Sequence, residues 1–194
     1  LKNRSFITNE HSRKISHLLR FKNQSLLTSY KTINSDNPKL TCRLNGLEKF
    51  SPTIIILDKD LKIKSNSFIL KYKKIKKTII FHNSKNSLKI NHLKKKGIKL
   101  IYFKTNKENY FDLKAILKKI YSLGICTLLV EAGKVLTCKM ISKQFFNQFY
   151  LFKGSKVINS SRKIKVFNIK NELGIKFKNK KIIDTYIDKD KLIH

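Results

Sequence analysis

The sequence predicts a three-layer α/β domain whose central sheet is mainly parallel and whose C-terminal section is antiparallel. Three observations carry that expectation. Continuous apolar runs of strand length, such as residues 53–57 (TIIIL) and 78–81 (TIIF), fit strands buried on both faces, as parallel strands are. These runs alternate with helical patterns through the middle of the chain, which is the signature of βα units. Beyond Phe146 the texture changes to closely spaced strand-like runs joined by short turns, which suits antiparallel strands closing the sheet.

In chain order, Thr8 can cap a helix over residues 9–20, with Glu10 in its first turn and an apolar stripe of Ile15, Leu18 and Leu19. A strand over residues 25–30 leads into residues 31–43, KTINSDNPKLTCR. Asn34, Ser35, Asp36, Asn37 and Pro38 crowd turn formers there, so the segment reads as a loop. A linker through Gly46 and Pro52 precedes the strand over residues 53–57, which Asp58 stops. Residues 68–77 are ambiguous, and residues 78–81 form a further strand. A helix over residues 87–96 ends at Gly97, and a strand follows over residues 98–103.

Asp112 opens a helix over residues 113–123, with Leu113, Ile116, Leu117 and Ile120 on one face and Gly124 as its stop. Residues 126–130 read as the next buried strand. Glu131-Ala132-Gly133 then leads into a helix over residues 134–144. The last strands are expected over residues 149–152, 163–169, 175–178 and 181–187. No period of 20 to 50 residues repeats, which excludes a solenoid.

The 194 residues fit one domain, and 41% hydrophobic content supports a substantial core. Against 12 Asp and Glu stand 44 Lys and Arg, a formal charge of +32. Such an excess suits a non-catalytic basic module that binds RNA or another polyanion. It equally suits compositional skew, because Lys, Asn and Ile are abundant together and the lysines scatter through every segment. The runs at residues 73–77 and 94–96 lack aromatic interleaving and read as solvated faces rather than specific nucleic-acid motifs. Three cysteines without a CxxC pair argue against a structural zinc and fit a reducing cytoplasm. The apolar runs are too short for a membrane span. There is no G-x-S-x-G elbow, Walker loop or H-x-E with P-C-x-x-C deaminase signature.

Two constellations carry the candidate chemistry. In residues 31–43 a hydroxyl (Thr32), a carboxylate (Asp36) and a guanidinium (Arg43) sit within one short span, a pattern that fits a binding loop and also an ordinary surface turn. At Glu131-Ala132-Gly133 a glycine stands between a strand and a helix. Backbone can approach a ligand closely there, and the helix start attracts phosphate, although a plain βα turn has the same outline. Phosphate binding with no obvious nucleophile, metal or acid/base pair suits an enzyme whose cofactor performs the chemistry.

Phe6-Ile7-Thr8, Ser12-Arg13, Leu18-Leu19-Arg20, the whole of residues 32–43, residues 54–58 and LLVEAG at residues 128–133 resemble, in order and spacing, the reductase domain of the bifunctional riboflavin-biosynthesis deaminase/reductase. The resemblance covers residues 6–153 and extends compatibly to the C-terminus. It implies a dihydrofolate-reductase-like fold and NADPH-dependent reduction of 5-amino-6-(5-phosphoribosylamino)uracil, the hydride arriving at the sugar C1′ of a ring-opened imine.

Carried over by position, Phe6, Thr32, Asp36, Lys59, Gly133, Lys134, Val135, Leu136, Thr137, Cys138 and Lys139 contact the cofactor, and Arg20, Leu40, Arg43 and Glu131 the substrate. No residue is assigned as catalytic, and no metal is implied. The sequence departs from the family at Phe6, where Trp is usual, and at Arg4, where a substrate-contacting Ser is usual. The family's first reductase strand, with its S-L-D-G-like motif, and its deaminase domain are expected upstream of Leu1. The partners implied are a phosphorylated pyrimidine, a second copy of the domain in a homodimer, and a deaminase domain in the same or a separate chain.

Overall fold

A computed structural model describes residues 8–71, 77–154, 184–187 and 190–193. The chain divides into two units, His17–Thr137 and the segments flanking it on either side. The larger unit is built on five parallel strands: β1 (Ser25–Ser29), β2 (Thr53–Leu57), β3 (Thr78–His82), β4 (Lys99–Tyr102) and β5 (Leu128–Val130). Their order across the sheet is β4-β3-β2-β1-β5, and every neighbouring pair is parallel. The chain therefore steps outward from β1 to β4, then returns to the far side of β1. Such a reversal leaves a crevice at the carboxyl ends of the two strands flanking it, here β1 and β5.

The continuous apolar runs explain the centre of this sheet. Ile54, Ile55, Ile56, Ile80 and Phe81 have no exposed surface, and each large aliphatic side chain removed from water contributes about 1.5–3 kcal/mol. Leu26, Ile33, Leu61, Leu70 and Leu93 join Ile54, Ile56 and Ile80 in one apolar cluster. The expectation for residues 126–130 needs correction. β5 starts only at Leu128, its three side chains are half-buried, and Cys126 is exposed. It is an edge strand among the described residues, and an apolar run of that length does not distinguish an edge from a centre. The N–H groups of Cys126 and Thr127 instead donate to Gln24 Oε1, at 2.6 and 3.1 Å.

Helix α1 (Glu10–Lys22) runs two residues beyond its expected end, and its cap is Asn9 rather than Thr8: Asn9 Oδ1 accepts from Ser12 N–H at 2.8 Å. The larger correction concerns residues 31–43, whose first part is helical. Helix α2 (Tyr30–Asp36) begins at Ser29, whose side chain accepts from Thr32 N–H, and ends at Asn37 in the left-handed conformation (φ 44°). The turn formers act as caps of a two-turn helix, and Pro38 then prevents its extension. Helix α3 (Phe68–Lys71) resolves part of the ambiguous stretch.

Helix α4 (Ser87–Lys95) is capped by Asn86 and followed by Gly97 at φ 73°; helix α5 (Leu113–Tyr121) is capped by Asp112, as expected. Helix α6 (Lys134–Ser142) follows Gly133.

The flanking unit contains β6 (Leu151–Lys153), β7 (Asp184–Ile187) and β8 (Asp190–Ile193), joined antiparallel in the order β6-β8-β7. β7 falls within the run expected at residues 181–187, and β8 adds a strand the sequence did not suggest. The expected strands at 163–169 and 175–178, like Phe6 and Arg4, lie outside the described residues.

Candidate active site

All five parallel strands end on the same edge of the sheet, so their carboxyl ends form one rim. Two groups of candidate residues meet at the β1/β5 crevice. Thr32, in the first turn of α2, places its Oγ1 3.2 Å from Ser29 Oγ and accepts a hydrogen bond from Gly133 N–H at 3.2 Å. The loops leaving β1 and β5 are thus tied together at the mouth of the crevice. A Cβ on Gly133 would have Thr32 Oγ1 as its single close neighbour, at 3.7 Å, so the glycine backbone faces open space.

Beyond Gly133 helix α6 begins, with Thr137 N–H donating to Gly133 O at 3.2 Å. Thr137 closes the turn from inside, its Oγ1 donating to Ala132 O at 3.1 Å. Lys134, Val135 and Lys139 are exposed, Leu136 is buried, and Cys138 is half-buried. A glycine approach followed by a helix N-terminus fits the phosphates of a dinucleotide.

At the end of β5, two residues before Gly133, Glu131 meets Arg20. Arg20 Nε donates to Glu131 Oε1 at 2.7 Å and Nη2 to Oε2 at 2.8 Å, a bidentate pair whose side chains are only 13% and 29% exposed. Arg20 Nη1 also donates to Thr41 O at 3.1 Å. His17, one turn before Arg20 on α1, stands 3.0 Å through Nδ1 from the same carbonyl and 3.2 Å through Nε2 from Arg43 Nη2.

Leu40 shapes the loop that brings Thr41 and Arg43 here. It is buried and holds φ 51°, a left-handed conformation that costs a non-glycine residue of order 1–3 kcal/mol. Its buried side chain leaves backbone as the part of Leu40 able to face a ligand. Arg20, Arg43 and Glu131 therefore converge, and His17 joins them. His17 is not among the residues that the sequence singles out, because it belongs to no ligand-spacing or catalytic motif. The available signal was its i−3 spacing from Arg20 on one helix face.

Asp36 and Lys59 lie along the rim toward β2. The Asp36 carboxylate is exposed and accepts from Ser35 Oγ at 2.7 Å. Lys59 gives its carbonyl to Asn83 N–H at 2.8 Å, and its Nζ lies 3.5 Å from Asp60. Beside it, fully buried Asp58 accepts from Lys62 N–H and Ile63 N–H at 2.8 and 2.7 Å. Burial pushes the Asp58 carboxyl above the usual carboxylate range, opposed by those two N–H groups. Its work is to hold the β2 exit turn. Asn34 clasps the same turn, donating to Lys62 O and accepting from Lys64 N–H, each at 2.9 Å. Among the described residues, no cluster of His, Cys, Asp or Glu is arranged to hold a metal.

The fold is dihydrofolate-reductase-like, as in the reductase domains of RibD and Rib7 proteins. RibD form 1 of Acinetobacter baumannii superposes with a TM-score of 0.73 at 16% identity, over 98% of this chain and 51% of that one. The riboflavin biosynthesis reductase Rib7 of Saccharomyces cerevisiae gives 0.69 at 19% identity, over 95% and 80%. The chain belongs to the RibD C-terminal domain family, whose model matches residues 2–183. It is 31% identical over 178 residues to the riboflavin biosynthesis protein RibD of Aquifex aeolicus, a match covering 91% of this chain and 48% of that protein. A 22% match to RibD of Actinobacillus pleuropneumoniae covers 81% and 41%. The chain spans about half the length of the curated relatives it matches.

Proposed function

We propose that the chain is the NADPH-dependent pyrimidine reductase of riboflavin biosynthesis, converting 5-amino-6-(5-phosphoribosylamino)uracil to its ribitylamino counterpart. The observation that carries this reading is the meeting of two unlike subsites at the β1/β5 crevice. The hydroxyl of Thr32 and the open backbone of Gly133 form one; the Arg20, Glu131 and Arg43 cluster forms the other. Membership of the RibD C-terminal domain family supports it.

In this reading the backbone from Gly133 through Lys134, Val135, Leu136 and Thr137 receives the dinucleotide phosphates, with Thr32, Asp36 and Lys59 along the rest of the cofactor. When bound, NADPH supplies the hydride. Arg43, an exposed residue, grips the substrate phosphate, since a guanidinium fork matches phosphate oxygens. Arg20 is committed to Glu131 and orients that carboxylate toward the substrate's hydroxyl and amino groups, while Leu40 offers backbone. The protein's share of catalysis is then alignment of C1′ with the cofactor in a partly desolvated crevice.

The flanking unit belongs to the same reductase domain over residues 1–194, a reading supported by the family match across residues 2–183. The domain acts in the cytoplasm, pairs with a second copy, and works with a deaminase domain in the same or another chain, as the bifunctional relatives suggest. Among the described residues no helix is long and apolar enough to cross a membrane. The purified chain should oxidise NADPH only when the deaminated pyrimidine is supplied; a correctly folded chain without that turnover would sink the reading.

A further inference from the structure

We propose that His17 is the positioning residue for Arg43, its Nδ1–H anchored on the Thr41 carbonyl and its Nε2 accepting from the Arg43 guanidinium. The tautomer follows from the partners. Thr41 O can only accept and lies 3.0 Å from Nδ1, so Nδ1 carries the proton; Arg43 Nη2 can only donate and lies 3.2 Å from Nε2, so Nε2 carries the lone pair. The opposite tautomer would face both partners with like groups. It would gain only the 3.4 Å contact between Arg20 Nη1 and Nδ1, although Arg20 Nη1 already has Thr41 O. His17 is 8% exposed, whereas Arg43 is an exposed, long side chain whose own rotamers would otherwise be free.

The buried imidazole therefore supplies a fixed acceptor that holds one edge of the Arg43 guanidinium and leaves its remaining N–H groups for an anion. The groups facing His17 are Arg20 from its own helix, Arg43 and the Thr41 carbonyl from the loop, and Glu131 from the end of β5. Burial, reinforced by the two guanidinium groups, favours the neutral ring, which keeps Nε2 an acceptor at neutral pH. Protonation would turn Nε2 into a donor and release Arg43.

The role assigned to Arg43 rests on the reductase reading, so the experiment has an arm that does not. In the full chain, His17→Leu removes both hydrogen bonds, His17→Asn can keep the bond to Thr41, and His17→Gln can keep an acceptor facing Arg43. His17→Leu and His17→Asn should raise the pyrimidine KM about tenfold, the loss of roughly one hydrogen bond to a charged group, with kcat and the NADPH KM changed less than about twofold. His17→Gln should restore most of the loss. Lowering the pH should raise the wild-type KM more than that of His17→Gln, which shares any titration of the substrate itself.

The independent arm measures calorimetric binding of ribose 5-phosphate, expected to weaken in His17→Leu and recover in His17→Gln. Nitrogen chemical shifts of the ring should show Nδ1–H. If NADPH oxidation fails while this binding pattern holds, the reductase reading falls and the positioning role stands. An unchanged KM and unchanged ribose 5-phosphate affinity in His17→Leu, a wild-type chain that binds no ribose 5-phosphate, or an Nε2–H ring would overturn the inference.

Discussion

Arg20 and Glu131, 111 residues apart, meet through two parallel N–H···O bonds of 2.7 and 2.8 Å at the crevice between β1 and β5. Each charge is largely removed from water, so each depends on the other. Glu131→Gln turns one acceptor oxygen into an N–H donor facing a guanidinium donor. It should lower stability by about 1–3 kcal/mol and raise the pyrimidine KM by at least about tenfold. Urea unfolding and steady-state kinetics check both; a variant with wild-type KM would remove Glu131 from the substrate subsite.

Gly133→Ala separates fold from cofactor binding. The new methyl would meet Thr32 Oγ1 at an ordinary 3.7 Å, so Tm should change little. The same methyl occupies the space through which a phosphate would reach the backbone. NADPH affinity, read by fluorescence titration, should fall by about tenfold or more, equivalent to at least ~1.4 kcal/mol. Unchanged affinity would exclude the cradle.

Asp58→Ala should act on stability alone. It strands the N–H groups of Lys62 and Ile63 in a turn they currently share with a buried carboxylate, at a cost of about 2–3 kcal/mol. Denaturant midpoints should fall while the NADPH Kd of the folded protein stays within about twofold; a variant of native stability would contradict the anchoring role.

The strands were legible because a run such as TIIIL has few alternatives to burial in a parallel sheet. The same logic overreached at Leu128, where an edge position leaves the run half-exposed. Helix α2 was hidden because Ser29 and Asn37 cap it with the residue types that also make turns, and no apolar stripe long enough to show period 3.6 lies between them. For the candidate site, Thr32, Arg43, Glu131 and Gly133 are singled out in the sequence by a family pattern. Their pairings were not, since Thr32 meets Gly133 across 101 residues and His17 meets Thr41 across 24. A histidine's role depends on which nitrogen faces which partner, and only three dimensions supply that.

Stability should also respond to pH in a definite direction. Burial, then the guanidinium groups of Arg20 and Arg43, holds His17 below the ordinary histidine value, and burial does the same for His82. Each therefore binds fewer protons folded than unfolded. Their contribution is full above the unfolded value of about 6.5 and is lost as pH falls below it, levelling off beneath the folded values. Tm should drop between about pH 7.5 and about pH 5, and by less in His82→Asn. A flat profile would contradict neutral, buried rings.

The central claim, that this crevice aligns a nicotinamide with the sugar of a phosphoribosylamino pyrimidine, is tested most directly by isotope transfer. The full chain is given NADPH deuterated at its transferable position together with 5-amino-6-(5-phosphoribosylamino)uracil, and the product is examined by NMR and mass spectrometry. One deuterium at the ribityl C1′ is the result expected. Product formed without deuterium, or with it on the pyrimidine ring, would contradict the account.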